Sequence, residues 1–262
     1  MQLNFYKYQG TGNDFVILDN RQGEYSNLTI QQVNFLCDRR FGIGADGLML
    51  LNNKPGYDFE MKYYNADGRE SSMCGNGGRC LVKFAYHQGI HKNTYLFSAI
   101  DGDHEAEIDL DGTVSLKMRD VYEIKSVNGG DFELNTGSPH YIKLVNHLDK
   151  LDVFNLGKMI RNNTKYSKDG INVNFVEQLN DDEISVRTYE RGVEDETLSC
   201  GTGVTAAALA CYHNENGYND VTVHTRGGKL NVEYDRIDEN EYKNIWLSGP
   251  AEKVYEGEIE LD

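Results

Sequence analysis

Two cysteines in this chain stand in the same short sequence context, and that context suits acid–base chemistry. Cys74 begins the segment CGNGGRC and Cys200 begins CGTGVTA, so the pattern Cys-Gly-x-Gly occurs twice. In both places residues with helical spacing follow, and a glutamate lies four residues earlier, at Glu70 and Glu196. A helix N-terminus carries unpaired N–H groups and partial positive charge, which favour a thiolate and bind a carboxylate. Each segment is therefore predicted to combine an activated sulfur with a carboxylate-binding turn.

Two such thiols meet the needs of a reaction that inverts a carbon centre. One sulfur removes the α-proton from one face and the other returns a proton to the opposite face, if both reach one cleft between domains. The glycines are interpreted as positions where a ligand approaches the backbone, since no Cβ stands in the way. The helix N-termini would stabilise the charge of the carbanion, so no pyridoxal cofactor is required and none is predicted. A single Cys-Gly is usually a small buried residue beside a turn, and the duplication is what favours catalysis.

The other three cysteines are assigned to structural positions. Cys37, Cys80 and Cys211 fall on the apolar faces of predicted helices, so we expect them in the core. The spacing Cys74-x5-Cys80 does not match that of zinc sites, and no metal is predicted. An odd number of cysteines, in a chain whose first residues lack a signal-peptide pattern, is typical of reduced thiols in the cytoplasm.

The elements that carry the two motifs recur in the same order along the chain. In each half, strands are followed by a helix, more strands, the Cys-Gly-x-Gly turn, a second helix and further strands. The first half has a helix in TIQQVNFLCDRR, with a capping box from Thr29 and Gln32, and one in GNGGRCLVKFAYH that ends near Gly89. The second half has a helix near 152–162, capped by Asp152, and one in GTGVTAAALACYH. This order indicates an internal duplication and a pseudo-symmetric pair of α+β domains.

Composition and charge narrow the range of partners. The chain has 262 residues, 39% of them hydrophobic, and a formal net charge of −16 with no stretch rich in lysine and arginine. A surface of this charge repels nucleic acid and anionic membranes, and the longest apolar run is too short to cross a bilayer. We therefore predict a small-molecule partner, with no nucleic acid and no membrane.

Several segments together resemble one known family. GTGNDFVILDN, GIGADGL, NADGRESSMCGNGGRC, SPH, GINVNFV and TYERGVEDETLSCGTG follow one another between residue 10 and about residue 205. In this order they resemble diaminopimelate epimerase, and the cysteine motifs and GTGNDF are the specific parts. The resemblance implies a cytoplasmic isomerase without pyridoxal phosphate, acting in lysine and peptidoglycan precursor biosynthesis. It would convert LL-2,6-diaminopimelate to meso-diaminopimelate by proton transfer at the α-carbon. A small-molecule amino acid is then the predicted partner, and a homodimer is left open.

The resemblance also implies a role for individual residues. Cys74 and Cys200 become the thiolate and thiol of the acid–base pair, and His140 and Glu190 support them beside the reacting centre. The residues expected to bind substrate are Gly75, Asn76, Gly201 and Thr202 at the reacting carboxylate, Asn13, Asn65, Asn172 and Arg191 at the distal amino-acid end, and Glu190 at the α-amino group. A guanidinium such as that of Arg191 can hold the distal carboxylate through two parallel hydrogen bonds.

The fold implied by the resemblance is α+β, with two pseudo-symmetric domains. Each domain is a curved, mostly antiparallel sheet around a central helix. We place the N-terminal domain at residues 1–120, carrying Cys74, with the last strand, about 250–262, returning to it. The C-terminal domain, residues 121–249, carries Cys200.

The chain departs from the family pattern in two places. Ser138 stands where many relatives have an asparagine, so a contact of that asparagine falls to the shorter hydroxyl, to water, or is lost. The segment from Glu190 to Cys200 is one residue longer than the commoner form. If the extra residue forms a bulge, Glu190 and Arg191 keep their assigned places, and if it shifts them, both assignments fail.

Two rival functions stay open at the level of sequence. A racemase for a simpler amino acid, such as proline or histidine, would need the two cysteines but not Arg191 and the asparagines. A protein that only binds an amino acid would need neither sulfur. Cofactor-free epimerisation of LL-diaminopimelate distinguishes the three alternatives.

Overall fold

The helices begin and end where the local sequence signals indicate. The computed structural model describes residues 1–127, 129–211 and 215–261. The α-helices in these ranges are α1 (Ile30–Cys37), α2 (Gly75–His87), α3 (Val153–Arg161) and α4 (Gly201–Cys211), with a 3₁₀ turn at Leu148–Lys150. The predicted continuation of α4 through Tyr212 and His213 lies outside the described residues. Every described helix falls short of the length and apolar character that a membrane crossing requires.

The predicted caps of these helices are confirmed. Thr29 and Gln32 form the reciprocal capping box of α1, in which each side chain bonds the other residue's backbone N–H. The Asp152 side chain accepts from the backbone of Asn155 at the start of α3. Gly89 follows the C-cap of α2 with φ of +90°, a conformation that glycine adopts without the strain of a Cβ.

The strands are short and numerous, as the alternating pattern predicts. They are β1 (Gln2–Gly10), β2 (Asn13–Asp19), β3 (Gly47–Asn52), β4 (Phe59–Asn65), β5 (Glu70–Ser71), β6 (Thr94–Ala99), β7 (Gly102–Ile108), β8 (Val114–Lys117), β9 (Lys125–Val127), β10 (Asp131–Asn135), β11 (Pro139–Leu144), β12 (Asn172–Gln178), β13 (Glu183–Glu190), β14 (Asp195–Thr197), β15 (Gly217–Thr225), β16 (Gly228–Arg236), β17 (Tyr242–Gly249) and β18 (Glu252–Glu260).

The chain divides into two compact units. The first unit comprises residues 1–116 with the described residues from 249 onward, and the second comprises residues 117–248. The first unit therefore contains Cys74 and the second contains Cys200. Strand β18 pairs antiparallel with β1, from Gln2 opposite Glu260 to Gln9 opposite Glu252, so the end of the chain lies in the first unit.

The first unit is one mixed sheet with α2 at its centre. The strand order is β18-β1-β2-β3-β4-β6-β7-β8, and β5 forms a short extra pair with β4. Among the strand pairs just described, β2–β3 and β4–β6 are parallel and the others are antiparallel. Helix α2 contacts β1, β2, β3, β4, β7 and β18, so the sheet wraps around it. Helix α1 packs with Val33 and Leu36 against the other sheet face in a core that includes Val16 and Leu48.

The second unit repeats this arrangement. Its strand order is β9-β10-β11-β12-β13-β15-β16-β17, with β14 as the short extra pair on β13. Of the pairs described for this unit, β11–β12 and β13–β15 are parallel and the others antiparallel, so parallel and antiparallel pairs follow in the same order as in the first unit. Helix α4 is buried along nearly its whole length, and α3 covers the opposite face against Phe175 and Tyr189. The internal duplication read from the motifs is therefore present in the strand pairing.

Candidate active site

Cys74 occupies the N-cap position of α2, at the edge of a buried helix start. Its backbone is extended, and its carbonyl accepts the first helical hydrogen bond from Gly78 at 2.7 Å. The side chain makes no capping bond, and Sγ instead donates to Oδ1 of Asn13 at 3.5 Å. The thiol thus lies at the positive end of the helix, where a thiolate is favoured. Asn13, assigned to the distal end from the sequence, contacts this sulfur.

A charged network behind Asn13 fixes the direction of its amide. Asn13 Nδ2 donates to Asp46 at 2.5 Å, which leaves Oδ1 toward Cys74. Arg39 bridges Asp46 and Asp14, and Lys7 pairs with Asp14 at 2.7 Å. Burial alone would raise the pKa of Asp14, but hydrogen bonds and charge from Arg39 and Lys7 outweigh it and hold the pKa at about 2. The segments GTGNDF and GIGADG therefore contribute to one hydrogen-bonded network, since the first supplies Asn13 and Asp14 and the second supplies Asp46.

The other sequence-assigned residues of the first unit lie around the start of α2 and at the end of β4. Gly75 and Asn76 form the first turn of α2 and are buried, with Asn76 only 1% exposed. The Asn76 side chain accepts from Arg79 at 2.9 Å and from Thr11 at 3.3 Å. Asn65 is the exposed last residue of β4. We use the term Cys74 half-site for Cys74, Gly75 and Asn76 together with Asn13 and Asn65.

The equivalent position in the second unit is taken by Cys200, which directly precedes α4. Its carbonyl accepts from the backbone of Val204 at 2.8 Å, and its sulfur lies 3.5 Å from the hydroxyl of Thr202. The Thr202 carbonyl accepts from Thr136 at 2.9 Å, which ties the turn to the end of β10. We use the term Cys200 half-site for Cys200, Gly201 and Thr202 together with His140, Asn172, Glu190 and Arg191.

His140 is a buried neutral imidazole in the second unit. It is fully buried, and burial together with the charge of Arg191 lowers its pKa to about 3. Asn174 donates to His140 Nδ1 and to the Tyr141 carbonyl, while its own oxygen accepts from Thr188. These contacts assign the ring proton to Nε2, which has no hydrogen-bond partner among the described residues. The Nε2–H group of His140 is therefore a hydrogen-bond donor in a buried environment.

A third group of second-unit residues forms a polar cluster around Ser138. Asn172 Nδ2 donates to Ser138 Oγ at 2.9 Å, and Asn172 Oδ1 accepts from the backbone N–H of Arg191 at 2.9 Å. The exposed Arg191 guanidinium is held by Ser138 Oγ and by the carbonyl of Asp169. The Ser138 hydroxyl therefore accepts hydrogen bonds from both Asn172 and Arg191.

Glu190 is the last residue of β13 and precedes a turn. It pairs across the ladder with Asp195, and its carbonyl accepts from the Glu194 N–H at 2.8 Å. Glu194 has a φ of +58° within this turn. Glu190 therefore belongs to β13, and the backbone N–H of Arg191 donates to Asn172.

The second glycine of each motif packs against the protein interior, more tightly at Gly203 than at Gly77. A Cβ on Gly77 would lie 3.2 Å from Sδ of Met49, and a Cβ on Gly203 would lie 2.3 Å from Oδ1 of Asn174. Both positions face the protein interior, so the interpretation that these glycines admit a ligand is wrong for Gly77 and Gly203. Their function is to let a buried helix lie close against its neighbours.

The assignment of the remaining cysteines to the core is confirmed. Cys37, Cys80 and Cys211 are 4%, 0% and 9% exposed, and all five cysteines are free thiols. Burial raises the pKa of Cys37 and of Cys211 to about 12, and it raises that of Cys80 further. These thiols stay protonated and unreactive at neutral pH. Across residues 1–127, 129–211 and 215–261, no His, Cys, Asp and Glu side chains group in a way that could hold a metal ion.

Sequence reasoning missed the residues that hold the site residues in place. Asn174 and Thr188 face each other across β12 and β13, and their pairing depends on a register that the sequence does not reveal. Arg79 is fully buried within α2, although a charged residue is normally exposed. One signal was available for Arg79, because it directly precedes the predicted core residue Cys80 in a helix of mostly small and apolar residues.

The chain matches one family along nearly all of its length. A family model described as diaminopimelate epimerase matches residues 5–123 and 132–254, one span in each half of the chain. The diaminopimelate epimerase of Flavobacterium psychrophilum is 49% identical over 258 residues, covering 98% of this chain and 100% of the relative. That of Chlorobaculum tepidum is 45% identical over 260 residues, covering 96% and 99%. The chain belongs to the diaminopimelate epimerase family.

The fold of this family member is shared with more distant enzymes of known structure. A phenazine biosynthesis protein of the PhzF family from Bacillus anthracis matches all of both chains with a TM-score of 0.74 at 15% identity. A hydroxyproline epimerase from Agrobacterium vitis matches 98% of this chain and 92% of its own with a TM-score of 0.69 at 13% identity. These similarities establish the fold alone, and they confirm the predicted class of two pseudo-symmetric α+β domains.

Proposed function

We propose that the protein is a diaminopimelate epimerase that interconverts LL- and meso-2,6-diaminopimelate with Cys74 and Cys200 as its two acid–base groups. The reaction would serve lysine and peptidoglycan precursor biosynthesis. One observation carries the proposal: the chain belongs to the family, and each repeat presents a cysteine at the start of its buried central helix. Duplicated thiols at equivalent positions are what a reaction at two faces of one carbon requires.

The chemical step is a transfer of one proton off the carbon and another onto it. One cysteine, as the thiolate, takes the α-proton and becomes a thiol, and the C–H electron pair stays on the α-carbon as a carbanion. The other cysteine, as the thiol, donates its proton to the opposite face and becomes a thiolate. The reverse reaction exchanges the two roles, so the enzyme needs one charged and one neutral sulfur in each direction.

Backbone and side-chain donors stabilise the carbanion. The substrate α-carboxylate accepts hydrogen bonds from the first turns of α2 and α4, where Gly75, Asn76, Gly201 and Thr202 lie. A helix N-terminus directed at the position where negative charge develops would stabilise the carbanion. The unpartnered Nε2–H of buried His140 is a further neutral donor, and Glu190 binds the α-amino group.

Binding of the distal amino-acid end explains a preference for a bifunctional substrate. Arg191 presents an exposed guanidinium whose Nη1 and Nη2 donate to the Asp169 carbonyl and to Ser138. Its remaining N–H groups are the donors proposed for a carboxylate. Asn172, Asn13 and Asn65 complete the set of polar groups proposed for substrate. A monocarboxylic amino acid would leave Arg191 without its partner.

The experiment that tests this function requires no cofactor. The purified protein is incubated with LL-diaminopimelate, and the isomers are separated by chiral chromatography over time. We expect the meso isomer to accumulate until the two isomers reach equilibrium, and L-proline under the same conditions to stay unchanged. Failure of the folded protein to form meso-diaminopimelate, or conversion of proline in its place, would reject the proposed substrate.

The compartment and the oligomeric state follow as further proposals. Two free thiols must remain reduced for turnover, which fits a cytoplasmic enzyme. A homodimer is the assembly proposed for testing, and light scattering during size-exclusion chromatography measures its mass directly.

A further inference from the structure

Asp46 is a carboxylate that holds a residue in contact with Cys74. Its Oδ2 accepts from Asn13 Nδ2 at 2.5 Å and from the backbone N–H of Asp14 at 3.2 Å. Its Oδ1 accepts from Arg39 at 2.7 Å. Both oxygens are therefore engaged within the first unit, and the carboxylate has a defined orientation toward Asn13.

The backbone of the segment GIGADG places Asp46 at this position. The N–H of Asp46 donates to the Asp14 carbonyl at 2.9 Å, and its carbonyl accepts from the N–H of Ala66 at 3.1 Å. Gly44 has a φ of +82°, and a Cβ there would lie 2.8 Å from Cα of Arg39. A glycine is required at this point of the loop, because any other residue would be strained and would clash. The loop thus fixes Asp46 through its backbone as well as its side chain.

The carboxylate determines which end of the Asn13 amide faces the sulfur. A carboxylate only accepts hydrogen bonds, so it binds the amide nitrogen and leaves Oδ1 of Asn13 toward Cys74. Sγ of Cys74 donates to this oxygen at 3.5 Å. An amide oxygen cannot donate to a thiolate, so the contact stabilises Cys74 in its thiol form. An amide turned the other way would present N–H donors, which favour a thiolate.

The other charged and titratable groups near Cys74 act in both directions. The buried guanidinium of Arg79, in the same helix, and the helix N-terminus favour a thiolate. Asp101 accepts from the backbone N–H of the residue before Cys74 at 3.1 Å, and its negative charge disfavours one. Cys80 is a neutral thiol, because burial raises its pKa. The hydrogen bond to the amide oxygen therefore acts against the field of the helix.

The influence of Asp46 on the sulfur passes through this amide rather than through its charge. The side chain of Asp46 is exposed, and its charge is paired with Arg39. Solvent and the paired guanidinium both weaken the action of such a charge at a distance. The hydrogen bond to Asn13 is short and direct, and the amide transmits its direction to the sulfur.

The second unit has a different residue at the equivalent place. Asp46 directly precedes β3, and Ile171 directly precedes β12, the strand that takes the position of β3 in the second unit. Ile171 is buried and apolar, so it offers no carboxylate. The sulfur of Cys200 contacts the hydroxyl of Thr202, a group that can donate as well as accept. The contact with an oxygen that can only accept is thus a feature of the Cys74 half-site.

We propose that Asp46 is a positioning residue of the Cys74 half-site, which holds the Asn13 amide with its oxygen toward Cys74 and so stabilises that sulfur as the thiol. Its part in the reaction rests on the proposed function, in which the thiol form of Cys74 delivers a proton to the carbanion. Asp46 acts on the sulfur only through Asn13.

Alkylation of Cys74 tests this role without any substrate. Iodoacetamide reacts with thiolates, so the alkylation rate against pH, read by peptide mass spectrometry, reports the ionisation of each cysteine. Asp46→Ala frees the Asn13 amide to turn. We expect Cys74 in this variant to be alkylated about tenfold faster than in wild type at pH 7, as a decrease of about one unit in its apparent pKa requires. A wild-type profile in folded Asp46→Ala would overturn the proposal.

Asp46→Asn separates orientation from charge. This variant keeps one oxygen that can accept from the Asn13 amide and from the backbone N–H of Asp14, but it carries no negative charge. We therefore expect the Cys74 profile of Asp46→Asn to stay close to that of wild type. Equal acceleration in Asp46→Asn and Asp46→Ala would show that the charge is what matters, and the positioning role would be wrong.

A double-mutant cycle determines whether Asp46 acts through Asn13. Asn13→Ala removes the oxygen that accepts from the thiol, so it should also speed alkylation of Cys74 at pH 7 about tenfold. Adding Asp46→Ala to Asn13→Ala should then change the rate little, because the group that Asp46 holds is already absent. Accelerations that multiply in the double variant would contradict action through the amide.

Cys37 monitors the fold of this region in the same samples. It is 4% exposed, and its carbonyl accepts from the N–H of Ala45, the neighbour of Asp46, at 3.0 Å. Cys37 should stay unalkylated in every variant. If it reacted together with Cys74, Asp46 would only stabilise the loop, and the positioning role would be rejected. Because no step uses diaminopimelate, this result is independent of whether the protein epimerises that substrate.

Discussion

The two half-sites have the same topology but different electrostatic surroundings. Cys74 lies at the start of a helix that contains the buried cation Arg79, whereas Cys200 lies in the unit that buries the neutral imidazole of His140. A symmetric reaction needs two thiols, but in each direction only one of them begins as a thiolate. The two repeats therefore share their strand pairing but differ in the polar side chains that they bury.

The largest expected effect comes from removing either proposed acid–base group. Cys74→Ala or Cys200→Ala should lower kcat/KM by at least about a thousandfold, because each face of the carbon loses its only proton donor or acceptor. Chiral chromatography of diaminopimelate isomers measures the loss. Neither variant should unfold, because the loss of one sulfur at a helix start lowers the free energy of unfolding by only about 1 kcal/mol.

The matched control is Cys37→Ala, which removes a thiol from the core. It should leave kcat/KM close to the wild-type value and lower the free energy of unfolding by about 1 kcal/mol. If Cys74→Ala or Cys200→Ala kept activity within tenfold of wild type, the assignment of two bases would be wrong.

A smaller loss of activity is expected when Arg191, the residue proposed to bind the distal carboxylate, is replaced. Arg191→Met should lower kcat/KM about tenfold or more, because one charge-assisted interaction with the distal carboxylate is lost. Steady-state kinetics with LL-diaminopimelate measure it. Arg21→Met is the control, since that arginine pairs with Asp19 at the end of β2 away from Asn13. Unchanged kinetics in Arg191→Met would move the substrate assignment toward a simpler amino acid.

The equivalent glycines provide a direct comparison of the two helix starts. Gly203→Ala places a methyl group against Oδ1 of Asn174, whose Nδ2 donates to His140. Displacement of the Asn174 side chain should lower kcat/KM about tenfold. Gly77→Ala meets the flexible end of Met49, so its effect should stay within about threefold. Steady-state kinetics of the two variants, measured under the same conditions, give the two changes in kcat/KM. A larger effect at Gly77 would show that packing around Asn174 does not support the Cys200 half-site.

The smallest predicted effect is the contribution of His140 to the pH dependence of the free energy of unfolding. The unfolded chain protonates His140 near pH 6.5, whereas the folded protein keeps it neutral down to about pH 3. The unfolded state therefore binds more protons in this window, so this residue makes the protein less stable as the pH falls from 6.5 toward 3. Within this window the contribution of His140 to the free energy of unfolding changes by up to about 1.4 kcal/mol per pH unit.

Urea unfolding at pH 7, 6 and 5 measures this slope, with His140→Gln as the comparison. The variant should lose less stability than wild type between pH 7 and 5. Parallel curves for the two proteins would mean that His140 is protonated in the folded state.

Much of the fold was accessible from sequence because its signals are local. The capping box at Thr29, the cap at Asp152 and the repeated Cys-Gly-x-Gly motif each involve residues a few positions apart. These signals predicted the helix starts and the duplication. They depend on backbone geometry that short segments determine by themselves.

The supporting contacts of the site were less accessible because they join residues far apart in sequence. Arg79 contacts Thr11 across 68 positions, and Asn13 contacts Asp46 across 33. Gly203 faces Asn174 from another element, and this contact explains a glycine that the sequence alone assigned to ligand approach. Such pairs become visible only when strand register and helix packing are known.

The measurement that tests the two-base account most directly is isotope incorporation in deuterium oxide. LL-diaminopimelate is converted for a small fraction of the reaction, and both isomers are recovered for mass spectrometry. With one thiolate and one thiol on opposite faces, the meso product should carry one solvent deuterium while the recovered LL isomer stays unlabelled. If the LL isomer gained deuterium as fast as the meso isomer formed, a single base would serve both faces, and the proposed roles of Cys74 and Cys200 would be contradicted.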